Sequence, residues 1–169
     1  GVVQITLPFD LRVYGATYAA GSSISASTNG NIQFVASGAS DEFANIALPA
    51  GSTAVPPLSA TAPAIFALWD DLILTTPGGG IYTNTVGTAP NRQFVVEWRG
   101  RRIGDGATTQ NINFAVIFNE GAAAAASPFR VLYVQTGIGV AANGASATVG
   151  VQQGGASNSN FTQYALNQG

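Results

Sequence analysis

The sequence predicts an all-β protein: an antiparallel β-sandwich, jelly-roll-like or immunoglobulin-like, of about nine to ten strands. Three observations predict it. Apolar and polar residues alternate with period two through most of the chain, turn-forming dipeptides fall in the gaps, and no segment carries a helical period long enough to stand as a helix.

The strands follow in order. Val2–Leu7, Ser23–Thr28 and Asn31–Ala36 alternate, and Asn29-Gly30 between the last two is a strong short-range hairpin signal. Ile81–Val86 follows the sharp connection Pro77-Gly78-Gly79-Gly80. In Gln93–Arg99, Phe94, Val96 and Trp98 point one way, and Gln93, Glu97 and Arg99 the other. In Asn111–Asn119, Ile112, Phe114, Val116 and Phe118 form the apolar side; Asp105-Gly106 turns the chain before it. Phe129–Gln135 and Ser146–Gln152 complete the set, the latter preceded by Asn143-Gly144. Such half-buried runs belong to antiparallel sheets with one face on a core. Ala122–Ala126, between Gly121 and Pro128, is too short for a helix and reads as a loop with at most one turn. Ala39–Thr61 holds Pro49, Pro56 and Pro57, shows neither period, and reads as a long excursion over the surface. With no internal repeat or linker, residues 1–169 read as a single domain.

Composition narrows the chemistry. Hydrophobic residues make up 46% and charged residues 8%, so the exterior must be built of Ser, Thr, Asn, Gln and Gly, with little charge repulsion between copies. The chain has no His, Cys, Met or Lys, and its six basic residues are all Arg. These absences exclude Ser-His-Asp and Cys-His sites, His- or Cys-ligated metals, Schiff-base lysines and the phosphate-loop lysine. A net charge of −2 gives no footprint for nucleic acid. No apolar run approaches the roughly 20 residues of a membrane-spanning helix, so no membrane insertion is expected. The chain begins at Gly1 without a signal peptide, which reads as a processed form, an excised domain, or a chain trimmed of its first Met.

Only carboxylates remain for catalysis, and a glycosidase needs two of them converging across a cleft. Asp70 and Asp71 are adjacent and would face opposite sides of a strand, while Glu97 lies on an outer face. The expectation is a protein that is not an enzyme. Trp69-Asp70-Asp71-Leu72 has two readings: Asp70 and Asp71 hold Ca²⁺, or one caps a turn while the other is solvated or pairs with an arginine. No other cofactor is expected. Arg99, Arg101 and Arg102, with Tyr82 as an aromatic neighbour, read either as a patch for anionic glycan or as arginines flanking a strand end near Glu97 and Asp105. Val2, Val3, Gln4, Ile5 and Thr6 read as an assembly edge, since edge strands unprotected by Lys are open to β-augmentation.

Several of these segments, taken in order, resemble an extracellular β-sandwich module related to the nidogen-like domain, found repeatedly in secreted and surface proteins of bacteria and archaea. They are Leu7-Pro8-Phe9-Asp10 with Tyr14-Gly15 and Tyr18, Ser27-Thr28-Asn29-Gly30 with Ile32 and Phe34, and Ala64–Phe66 with Trp69-Asp70-Asp71-Leu72. Gly79-Gly80-Ile81-Tyr82, Gly87–Trp98, Phe114–Phe118, Arg130, Ala147–Val151 and Tyr164 continue the likeness over nearly the whole chain. The resemblance implies a secreted or cell-surface location and an adhesive or matrix-type role, and it supplies no catalytic residues. Arg99–Ile103, the Ala-rich loop and Ala39–Pro63 depart from the pattern.

The function expected is that of a non-catalytic extracellular structural or adhesive module, packing against partner proteins or copies of itself on a microbial surface or filament. The second expectation is a glycan-binding module, Ca²⁺-assisted or not, using Tyr14, Tyr18, Tyr82 or Tyr164.

Overall fold

A computed structural model describes residues 1–50, 62–121, 129–137, 144–154 and 160–168. The expected Ala122–Ala126 loop, Asn143 and the second half of the Ala39–Thr61 excursion lie outside the described residues. Among these residues the structure is all-β, with thirteen strands and no helix. The strands are β1 (Val2–Thr6), β2 (Leu11–Val13), β3 (Ala16–Tyr18), β4 (Ser23–Ser27), β5 (Asn31–Gln33), β6 (Ala64–Trp69), β7 (Leu72–Ile73), β8 (Gly80–Val86), β9 (Gln93–Arg102), β10 (Ile112–Asn119), β11 (Phe129–Thr136), β12 (Thr148–Gln152) and β13 (Phe161–Leu166). Eight of these correspond to the alternating runs; the others are β2, β3 and β7, each of two or three residues and too short to show an alternation, β6, which is apolar at every position, and β13.

One sheet has six strands in the order β1-β4-β5-β6-β12-β13, all antiparallel. The other runs β11-β10-β9, with β8 and then β7 sharing the far side of β9. Gly100 marks the changeover between them: a Cβ there would lie 2.5 Å from the Ile73 carbonyl oxygen and 2.6 Å from Leu74 Cδ2. β2 and β3 form a separate hairpin.

The period-two faces meet as the alternation requires. Ile5, Ile24, Ala26, Ile32 and Ile65 of the six-stranded sheet pack against Phe94, Val96, Trp98, Phe114, Val116 and Phe118 of the second. Trp98 stacks on Phe114 at 5.1 Å, with the rings 7° from parallel. Two polar ties cross the core. Trp98 Nε1 donates to the Ser27 carbonyl at 2.8 Å, joining β9 to β4, and the Tyr133 hydroxyl donates to the Ala67 carbonyl, joining β11 to β6. The second sheet therefore runs β8 to β11 in the same lateral sense as β1 to β13 in the first.

Asn29-Gly30 makes the hairpin that the sequence predicts between β4 and β5. Gly30 also has a packing duty. Its carbonyl accepts from both Ala67 and Leu68 N–H at 3.1 Å, which bulges β6, and a Cβ on it would fall 2.0 Å from the Leu68 carbonyl oxygen.

Replacing Trp98 separates packing from polarity. Trp98→Ala is expected to cost about 3–5 kcal/mol of unfolding free energy, whereas Trp98→Phe, which keeps a ring and loses the N–H, costs about 0.5–1.5 kcal/mol. Urea unfolding of the two variants measures both; equal losses would mean that the ring contributes little.

Candidate functional site

The outer face of the six-stranded sheet is closed by the chain itself. Alternation assigns Ser25, Ser27, Asn31, Gln33 and Gln152 to solvent, yet all five are buried. The reason is a strap, residues 36–50, that crosses this face without regular structure. Its backbone groups find partners on the sheet's side chains. Gln33 Nε2 donates to the Ser40 carbonyl at 2.6 Å, and Ser40 N–H donates back to Gln33 Oε1 at 2.9 Å. Gln152 does the same at Ala50, at 2.9 Å and 2.7 Å. Asn29 Nδ2 donates to the Asp41 carbonyl, Trp69 Nε1 to the Glu42 carbonyl and Thr148 Oγ1 to the Ile46 carbonyl. Beneath the strap, Leu48 and Ala50 join Ala64, Phe66 and Trp69 in a second small core. A side-chain amide that clamps one residue's N–H and C=O replaces the ladder an irregular segment lacks.

At one end of the sandwich, the chain bends between β6 and β7 at Asp70 and Asp71. Asp70 is buried and occupied. Its Oδ2 accepts from Arg102 Nε at 2.8 Å and from the Ser146 hydroxyl, and its Oδ1 accepts from Asp71 N–H at 2.8 Å. Partial burial, then the charge of Asp70, push the Asp71 carboxyl above the usual carboxylate range against the pull of Arg102. Among the described residues no group of three acidic side chains converges here or elsewhere as a metal cage would require.

The arrangement of Arg99, Arg101, Arg102 and Tyr82 follows the second of the two readings, arginines flanking a strand end near Glu97 and Asp105. Arg102 turns inward to Asp70. Arg99 lies on the outer face of the second sheet, paired with Glu97 at 2.9 Å and 3.0 Å and held 4.8 Å over the Tyr82 ring. Arg101 is half-buried; burial pushes the Asp105 carboxyl up, but hydrogen bonds from Asn111 and from the Ala107 and Arg102 backbones, with the charge of Arg101, together hold it below its usual value. Arg99 and Tyr82 thus share a site, while Arg101 and Arg102 belong to the sandwich end.

Of the candidate tyrosines, Tyr18 packs on Phe34, whereas Tyr14, Tyr82 and Tyr164 are exposed. Tyr133 is 41% exposed as a residue, yet its hydroxyl donates to the Ala67 carbonyl and burial pushes its pKa up to about 12.

The remaining features lie at the sheet edges. The expected edge Val2–Thr6 is β1, paired on one side with β4, and Val2 and Val3 are exposed. At the opposite side, β11 and β13 stand apart around a cleft of about 510 Å³. It is lined by Ile65, Phe66, Phe129, Val131, Tyr133, Val149, Val151 and Tyr164, with Arg130 and Gly150. Tyr164 is 74% exposed and Val134 67%. Both sit at bulges: the registers of β12–β13 and β10–β11 shift beside them. The sequence signals the apolar residues but not their convergence, which depends on two edges set by topology.

A model of the NIDO-related family matches residues 2–168. The chain belongs to this nidogen-related family. The NIDO-related family is in general extracellular, as the sequence resemblance implies. No curated protein and no solved structure matches the chain.

Two outcomes test the strap and the acidic bend. Gln152→Ala should cost about 1–3 kcal/mol by stranding the Ala50 backbone groups, and should speed hydrogen exchange at Ala50 N–H more than at Val96 N–H. Asp71 has a folded-state pKa raised above its unfolded value, so its contribution is fully present below the carboxylate range and is lost as pH rises through it. Asp71→Asn should therefore be more stable than wild type at pH 7, by less than about 1 kcal/mol because the site is partly solvated, and lose that advantage near about pH 3. Thermal melts at both pH values check the sign.

Proposed function

We propose that this protein is a non-catalytic module of an extracellular surface whose work is contact, packing against partner proteins or copies of itself. One observation carries the reading. Among the described residues most of the large exposed apolar side chains lie on edge strands: Val2 and Val3 on β1, Tyr82 and Val86 on β8, Leu132, Tyr133 and Val134 on β11, Phe161 and Tyr164 on β13, with Tyr14, Phe43 and Ile103 elsewhere. Neither β1 nor β13 contains a charged residue or a proline, the usual guards against edge pairing.

The fate of the carboxylates supports a non-catalytic role. Asp70, Glu97 and Glu120 are paired with arginines, and Asp41 with the N-terminal amine. Asp10, Glu42 and Asp105 accept backbone N–H groups from Ala20, Phe43 and Ala44, and Ala107. A carboxylate held this way stabilises a turn or a loop. Such partners favour a structural role for these seven, Asp71 being the remaining acidic residue of the chain.

A glycan-binding reading has one observation in its favour. Tyr82 and Arg99 present an aromatic and a guanidinium together on the open face of the second sheet. Glu97 already neutralises that arginine, which weakens it as an anion site.

Sedimentation of the purified chain over a wide concentration range tests the contact reading. It predicts a rise in average mass with concentration, or capture by an extracellular partner protein. A monomer at every concentration that instead binds a glycan array, with loss of binding in Tyr82→Ala, would replace it with the glycan reading; repeating the array with Ca²⁺ added shows whether the ion assists.

A further inference from the structure

We propose that copies of this chain join head to tail, β1 of one copy adding to the free edge of β13 in the next. This deepens the contact reading and rests on it.

The six-stranded sheet is wholly antiparallel and has an even number of strands, so its two terminal strands run in opposite directions. A second copy in the same orientation, set beside the first, brings its β1 alongside β13 antiparallel. That is the pairing used everywhere else in the sheet. An odd number of strands would have made the junction parallel. Among the described residues β1 pairs only with β4 and β13 only with β12, so each has one unpaired side. They are also matched in length, at five and six residues.

Face and chemistry agree with direction. A continued sheet must keep its core side aligned across the junction, because a slip of one residue turns every side chain over. On β1, Val3 sits opposite Ala26 and so points to the core side, yet it is 44% exposed. On β13, Thr162 and Ala165 sit opposite Val151 and Val149, the two valines that line the open cleft. A neighbour's Val3 therefore arrives on the side where the cleft lies and covers apolar surface there, beside Tyr164. The same step brings the neighbour's β8, the free edge of the second sheet on the β1 side, towards β11. The junction uses two different surfaces, so it repeats and builds an open filament or a ring instead of stopping at a dimer.

The test uses the full chain with Val3→Lys and Tyr164→Lys, each placing a charge on one edge at an already exposed position, and Ile103→Lys as a control away from both. Circular dichroism first establishes that all three fold. Sedimentation should then show wild type and the control forming multimers, and each edge variant associating at least about tenfold more weakly. An equimolar mixture of the two edge variants decides the geometry. Each retains the edge that the other lacks, so the mixture should give a species of twice the monomer mass and nothing larger. Multimers from either variant alone would overturn this junction while leaving the contact reading in place. Monomeric variants whose mixture stays monomeric would overturn the head-to-tail geometry. A wild type that never associates would overturn self-assembly altogether, leaving only contact with a different protein.

Discussion

The structure depends on the side-chain amides that hold the strap to the six-stranded sheet. A sheet in a two-layer sandwich normally buries one face and leaves the other to water. Here Gln33 and Gln152 each grip both backbone groups of one strap residue, and Asn29, Trp69 and Thr148 each secure a carbonyl. The strap needs these partners because its own backbone forms no ladder, and buried peptide groups left unpaired are expensive. With both faces of that sheet covered, its surface for partners is reduced to its edges.

The two ties across the core fix where those edges lie. Trp98 to Ser27 sets β9 over β4, and Tyr133 to Ala67 sets β11 over β6. The six-stranded sheet is the wider, so β12 and β13 extend beyond β11 and leave Val149 and Val151 beside an open cleft. The outer face of the second sheet is a different surface. Arg99 with Glu97 and Arg130 with Gln93 satisfy one another across it, and Ala115 and Ile117 are buried among their neighbours. Of its charges, Arg99 and Glu97 neutralise each other, while Arg130 is exposed beside a neutral glutamine.

Much of this was legible in the sequence, and the reasons are specific. Phe94, Val96 and Trp98, like Ile112, Phe114, Val116 and Phe118, face the core as their alternation says, because long strands in a two-layer fold obey period two. The nidogen-related membership was legible as well, from short motifs held in order along the chain. What alternation misplaced was Ser25, Ser27, Asn31, Gln33 and Gln152. Their polarity reads as exposure, and only the strap above them makes them interior. The arginines separate because adjacent positions on a strand point to opposite sides, so Arg101 and Arg102 part and Arg102 finds Asp70 across the sandwich end. The cleft could not be read at all, since it arises from two edges far apart in sequence.

Hydrogen exchange measured residue by residue at low and high protein concentration tests the central claim most directly. If the edges of the six-stranded sheet do the work, amides of β1 and β13 gain protection as concentration rises, while those on the outer face of the second sheet do not change. Protection gained instead around Tyr82, Glu97 and Arg99, with β1 and β13 unchanged, would contradict it.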